Sequence, residues 1–215
     1  MPVRHDVASG DHLALLAARA GIGDVRRILD HGENSALASR PHPAILEPGE
    51  VVVIPDFQAA NFTIASGKIH KFVFRRLTTK LKITFKTFRG GPTVATDNTV
   101  AVGDAPEQPL PLSAGAFEVE TKPTDTAAIA NVPAPGNGQP DLVWRLRLGA
   151  LGRAEGDEGA FARLRNLGYY RTVPSDADER ERKSAIEEFQ VDQDMKPTGQ
   201  LDAATRDKLV EAYGC

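Results

Sequence analysis

The five histidines, His5, His12, His31, His42 and His70, are the residues best suited to proton transfer or metal ligation near neutral pH. None stands in a His-Glu-x-x-His pair or a comparable ligand spacing. Asp192-x-Asp194, followed by Thr198-Gly199, has the start of a calcium loop, but the twelfth position, which must supply a bidentate Glu, is Ala203. No serine lies in a Gly-x-Ser-x-Gly elbow. The single cysteine, Cys215, is the last residue, so neither an internal disulfide nor a Cys-x-x-Cys metal site is available. Paired carboxylates for glycan cleavage stay open, although every acidic cluster falls on an expected surface turn or helix start. The expectation is a chain that binds and does not catalyse, with no cofactor and no metal.

Composition narrows the partners. The chain has 215 residues, 41% hydrophobic and 26% charged, ordinary proportions for a globular protein. A formal net charge of −3 gives no general attraction to nucleic acid or a membrane surface. One stretch departs from this balance: between Phe57 and Ala95 stand eight basic residues, Lys68, Lys71, Arg75, Arg76, Lys80, Lys82, Lys86 and Arg89, and no acid. The interleaved Phe72, Phe74, Phe85 and Phe88 would suit base stacking. In an alternating strand pattern, however, the rings face a core and the cations face solvent, so neither nucleic acid nor membrane insertion is expected. The first ten residues hold no apolar stretch of signal-peptide length, and no run approaches the ~18 residues of a membrane span. Synthesis in the cytoplasm without a classical signal is the expectation.

Three stretches of different character must carry the sites. In the first, Val3, His5 and Val7 alternate with Arg4 and Asp6 as a strand, and Ser9-Gly10-Asp11 turns the chain and caps a helix. Leu13, Leu16, Ala17 and Ala20 then recur at helical spacing up to Gly21, and Asp24 opens a second short helix with Val25, Ile28 and Leu29 on one face. Asn34, Pro41, Pro43, Pro48 and Gly49 make Glu33 to Glu50 mostly loop, and Val51 to Ile54 is a compact strand. In the second stretch, short strands at Phe72–Phe74, Leu81–Phe85, Phe117–Glu120 and Trp144–Leu148, with loops at Arg89–Pro92 and Pro133–Gly138, suggest a small immunoglobulin-like β-sandwich. In the third, helical spacing returns. Phe161, Leu164 and Leu167 precede Gly168; Ala185, Ile186 and Phe189 follow a capping pair at Asp176 and Glu179; Leu209, Val210 and Tyr213 follow the cap Asp202. The fold class is α+β and multidomain, with domains at 1–56, 57–149 and 150–215.

Ser9-Gly10-Asp11-His12-Leu13, Ala17-Ala18-Arg19-Ala20-Gly21, Asn34, Pro48-Gly49-Glu50 and Ile54-Pro55 together resemble a LysM domain, from Val3 to Asp56. His12 stands where Thr is usual. The resemblance implies a βααβ fold with a shallow groove for amino-sugar glycan, between the loop Gly10 to Leu13 and the loop Pro41 to Ile45. Its implied ligand residues are Gly10, Asp11, His12, Leu13, Asn34 and Ile45. On the residues alone, Gly10-Asp11 turns the chain and starts a helix.

Leu164-Arg165-Asn166-Leu167-Gly168-Tyr169-Tyr170, Ala185-Ile186-Glu187-Glu188-Phe189-Gln190 and Thr198-Gly199-Gln200-Leu201-Asp202, with Thr205 and Leu209, resemble the three-helix peptidoglycan-binding family in its order. Arg171-Thr172-Val173-Pro174-Ser175-Asp176 replaces that family's Asp-Gly-x-x-Gly loop, which alters the groove and keeps the helices. Gln190 and Thr198 are the implied ligand contacts; on the residues alone, Thr198-Gly199 makes the turn before the last helix. Phe189 is expected in the core, and one of Tyr169 and Tyr170 is expected to pack inside.

The whole order, with the junction Trp144-Arg145-Leu146-Arg147-Leu148-Gly149, resembles proteins associated with type VI secretion and other contractile injection systems. It implies a non-enzymatic, peptidoglycan-binding accessory of an effector or spike, with a spike, baseplate or toxin protein as further partner. Such a machine would carry a chain without a signal peptide to the periplasm or wall. Two alternatives stand beside it: a structural adaptor that docks proteins instead of glycan, and a wall hydrolase with an unrecognised site.

Overall fold

The computed structural model describes residues 1–56, 63–71, 77–84, 97–110, 116–133, 141–149, 151–170 and 179–214. The expected strand Phe72–Phe74, the rings of Phe85 and Phe88, the loop Arg89–Pro92, most of Pro133–Gly138, the segment Arg171–Asp176 and Cys215 lie outside the described residues. Within them the protein is mixed α+β, with six helices and three small sheets. The chain divides into two compact units: Met1–His5, His12–Ala38 and Val52–Gly149; and Asp6–Asp11, Ser39–Val51 and Ala150–Cys215.

Strands β1 (Val3–Asp6) and β2 (Val51–Ile54) pair with each other. Between them in sequence lie α1 (Leu13–Arg19), α2 (Arg26–Leu29), a 3-10 turn (Gly32–Asn34) and α3 (Ser35–Ala38). Leu13, Leu15, Leu16 and Ala17 of α1, Ile28 of α2 and Val52 and Val53 of β2 are buried, so the helical spacing reads correctly. Helix α1 starts where the extended His12 accepts the Leu15 N–H on Nδ1 at 3.3 Å. His12, and not the expected Asp11, is therefore the cap. Asp11 accepts the Ala8 N–H at 3.0 Å and closes the turn before the helix. The stretch from Glu33, read as loop, contains helical turns up to Ala38. Its prolines begin only at Pro41, and the helical turn buries Leu37.

Strands β3 (Thr79–Thr84) and β6 (Ala116–Thr121) form one antiparallel pair. The other sheet has the order β5-β4-β7-β8, with β4 (Thr99–Val102), β5 (Gln108–Pro109), β7 (Ala127–Val132) and β8 (Leu142–Arg147). Both sheets feed one core: Val100 and Val102 of β4, Leu110, Phe117 of β6 and Ala128 of β7, surrounded by Leu81, Ile83, Val119, Leu146 and Leu148. Strands β4, β5 and β7 carry no strand signal strong enough to be expected from sequence. Ala127-Ala128-Ile129-Ala130 has little strand preference of its own and is held by ladders to β4 on one side and β8 on the other. On the outer face of β3 and β6, Lys80 lies opposite Glu120 and Lys82 opposite Glu118, with Lys80 Nζ 3.0 Å from Glu118. This part of the basic stretch faces carboxylates of its own sheet.

Three helices build the end of the chain: α4 (Asp157–Asn166), α5 (Glu179–Asp192) and α6 (Ala203–Tyr213). Ala160, Phe161 and Leu164 of α4, Tyr170 beyond its end, Ala185, Ile186 and Phe189 on the apolar face of α5, and Leu209 of α6 form one core. Phe189, Leu164 and Leu209 are fully buried, each worth about 1.5–3 kcal/mol of transfer free energy. Gly168, with φ +95°, ends α4 in the left-handed conformation that glycine takes without strain. A side chain at Gly159 would collide with the Arg153 carbonyl, so the lead-in segment crosses the first turn of α4 only because that position is bare. Among the described residues no helix is long and apolar enough to cross a membrane.

Candidate functional site

The turn between α5 and α6 is organised by one side chain. Gln190 is 1% exposed. Its Oε1 accepts the backbone N–H groups of Thr198 at 2.7 Å and Gly199 at 3.0 Å. Its Nε2 lies 2.9 Å from the hydroxyls of Thr198 and Thr205 and 3.2 Å from the Gln200 carbonyl. Thr205 is buried in the first turn of α6, and its N–H donates to the cap carboxylate of Asp202 at 2.8 Å. Hydrogen bonding from the Thr205 hydroxyl, and then from its N–H, holds the Asp202 carboxyl below its ordinary value against the opposing effect of burial. The Thr-Gly-x-Leu-Asp sequence is thus a turn fixed at both ends, one by Gln190 and the other by a helix cap.

Tyr170 is 2% exposed and packs on Phe161, with ring centroids 5.5 Å apart. Tyr169 is half-buried, edge-on to Phe189 at 5.4 Å, and its hydroxyl donates to Asp192 at 2.9 Å. Burial, and then the bond to the Asp192 carboxylate, push the Tyr169 phenol up to about 12. Of the two tyrosines, Tyr170 is the one inside, and Tyr169 is the one that presents ring surface.

A second polar constellation belongs to the same compact unit. Arg40 grips Glu50 with both terminal nitrogens, Nη2–Oε1 at 2.8 Å and Nη1–Oε2 at 3.0 Å. Arg153 approaches Glu50 at 3.7 Å and Glu155 at 3.3 Å. Burial pushes the Glu50 carboxyl up, but the hydrogen bonds from Arg40 and the Glu47 N–H, with the charges of Arg40 and Arg153, outweigh it and hold the group below its ordinary value. Beside this chain of charges is a shallow depression lined by Arg40, His42, Ile45, Arg153, Glu155 and Val210, with Arg163 also on its wall. Arg163 is 1% exposed and donates from Nη1 to the carbonyls of Gly152 at 2.8 Å and Gly159 at 2.9 Å. Arg206 clamps the same lead-in segment, donating to the Ala154 carbonyl at 2.8 Å and to Asp157 at 2.5 Å.

The residues expected at a ligand fare differently. Leu13 is 1% exposed and belongs to the core. Asn34 is 3% exposed, and its amide bonds the Ile28 carbonyl, the Val53 carbonyl and the Val53 N–H, at 2.7, 2.7 and 2.9 Å. Gln190 is enclosed as described. These three side chains are buried, and the polar two spend their hydrogen bonds on the protein's own backbone and hydroxyls. Asp11 is buried in its turn, His12 is a half-buried helix cap, and Gly10 is exposed at φ +91°. Thr198 is exposed, with its hydroxyl turned to Gln190. Ile45 lines the depression beside Glu50. Arg40 and Arg153, which meet at Glu50, are not among the residues expected at a site. Their signal, two arginines over a hundred positions apart meeting one glutamate, is invisible to a linear scan. Among the described residues no group of three or more His, Cys, Asp or Glu is placed to hold a metal ion.

A family model described as "Putative peptidoglycan binding domain" matches residues 162–209. The matched stretch runs from within α4 to within α6 and contains the Gln190 turn. The helical end of the chain is similar to peptidoglycan-binding domains. No curated protein and no solved structure matches the chain.

Proposed function

We propose that this protein is a non-catalytic peptidoglycan-binding accessory of a type VI secretion effector or spike, delivered to the periplasm or wall by a contractile injection system. The observation that carries the wall-binding part is the family match over 162–209, which coincides with the shared core of α4, α5 and α6. The N-terminal module of this reading is LysM-like, supported by the strand–helix–strand order in which β1 pairs with β2. The middle module is an immunoglobulin-like sandwich, supported by two antiparallel sheets that share one core. The module boundaries are 1–56, 57–149 and 150–215. The secretion-system partner rests on the order of modules and the Trp144–Gly149 junction. Purified full-length protein should sediment with insoluble peptidoglycan and should leave a wall zymogram uncleared. Sedimentation no greater than that of a control domain would sink the reading, and clearing would overturn its non-catalytic part.

A second reading is favoured by one observation. Leu13, Asn34 and Gln190, residues implied as ligand contacts, are committed to the interior. A protein with these modules turned into scaffold is a structural adaptor that docks spike, baseplate or toxin proteins. Copurification with such proteins, without retention on peptidoglycan, is the outcome that would favour it.

A further inference from the structure

We propose that the depression beside Glu50 is a carboxylate-binding subsite for the peptide part of peptidoglycan, with Arg40 and Arg153 as its cations and Ile45 and Val210 as its apolar wall. The inference rests on the wall-binding reading above and names a place and a chemistry for it. Most of this lining falls outside the matched 162–209, so the similarity to the family does not supply it.

The cations are fixed before any ligand arrives. Arg40 is held bidentately by Glu50, and Arg153 is held between Glu50 and Glu155. Both side chains keep contact with solvent, at 25% and 29% exposure. A guanidinium carries five N–H donors, and Arg40 spends only two terminal nitrogens on Glu50, so donor capacity is left over on a pre-organised group. Among the side chains that line the depression, Arg40, Arg153 and the buried Arg163 stand against the one carboxylate Glu155, with Glu47 and Glu50 also acting on Arg153, so the lining favours an anion over a cation. Glu155, largely exposed at the rim, works against a densely charged polyanion such as a polyphosphate. A single carboxylate on a small apolar residue satisfies both conditions: the carboxylate takes the guanidinium donors, and the short side chain lies against Ile45, Val210 and the buried Ala154. Peptide stems of peptidoglycan end in such groups. A sugar ring is a poorer match, because no Trp, Tyr or Phe is among the described residues that line the depression.

The test uses the full-length chain, with isotope-labelled backbone amides, titrated in parallel with N-acetyl-alanyl-alanine, its C-terminal amide and inorganic phosphate. The expected result is a saturable shift of amides in 40–45 and 153–155 with the free acid, at least about 10-fold weaker with the amide, the difference a charge-assisted bond makes. Phosphate should be no stronger than the acid. Arg153→Gln leaves the Arg40–Glu50 pair intact and should lower affinity for the acid about 10-fold without changing that for the amide. Ile45→Gln, at a half-buried wall position, should weaken both peptides together. Equal binding of acid and amide, or shifts only elsewhere in the chain, would overturn the subsite; so would tighter binding of phosphate. Sedimentation with peptidoglycan is run on the same samples. Retention without a dipeptide response overturns the subsite and leaves the wall reading standing. A dipeptide response without retention overturns the wall reading and the peptide-stem assignment with it.

Discussion

Asn34 near the N-terminus and Gln190 near the C-terminus are both primary amides, both buried, and both bonded to backbone far from themselves in sequence. They hold different amounts of structure. Asn34 meets one carbonyl on α2 and both polar groups of one residue on β2, so it ties a helix to a strand at a single rung. Gln190 meets two N–H groups, a carbonyl and two hydroxyls across residues 198 to 205, so it fixes a whole turn and the start of α6. The cost of losing such an amide rises with the number of partners orphaned and with how little water reaches each: Gln190 has more partners, while all three Asn34 bonds are buried and of Gln190's only the one to Thr205 is. In both places the amide holds backbone of its own chain, a helix to a strand at Asn34 and a turn at Gln190.

The sharpest way to break this comparison is Gln190→Ala. It should destabilise the helical unit by about 3 kcal/mol, read by urea unfolding, with the amide protons of Thr198 and Gly199 losing protection from exchange. Asn34→Ala should cost less, about 2 kcal/mol, and act on the Val53 amide proton, whose exchange should speed about 30-fold. If the Asn34 variant proves the more costly of the two, counting orphaned partners is the wrong measure. The smallest effect concerns Tyr169, which packs on the same α5 turn as Gln190. Its phenol is raised from 10.0 to about 12, so the fold favours the neutral ring. The stability this contributes is present below the ordinary phenol range and is lost as pH rises through the folded value. Absorbance titration should show one of the three tyrosines ionising late, and Asp192→Asn should bring it down while leaving unfolding at neutral pH nearly unchanged. A Tyr169 that titrates with free tyrosine would contradict both the burial and the bond.

Helices were the legible part. Leu164, Ile186, Phe189 and Leu209 announce a core because a helix repeats every 3.6 residues, and a periodic apolar face has little else to do than pack. The caps at Asp202 and the glycine stop at Gly168 are equally local. The sheets were legible only where alternation was strong, as in Leu81-Lys82-Ile83. Strand β7 is mostly alanine and exists because of its neighbours, which a sequence scan does not see.

By itself, then, the sequence determined the helix α1, the three-helix end and its likeness to peptidoglycan-binding domains, because each of these rests on spacing within a few turns of chain. Only the tertiary structure decided that Asn34 and Gln190 face inward, that His12 and not Asp11 caps α1, and that Arg40, Glu50 and Arg153 meet. The reason is that a polar side chain's role depends on which distant backbone groups need a partner, and that need is created by the packing of elements that the sequence names but does not bring together.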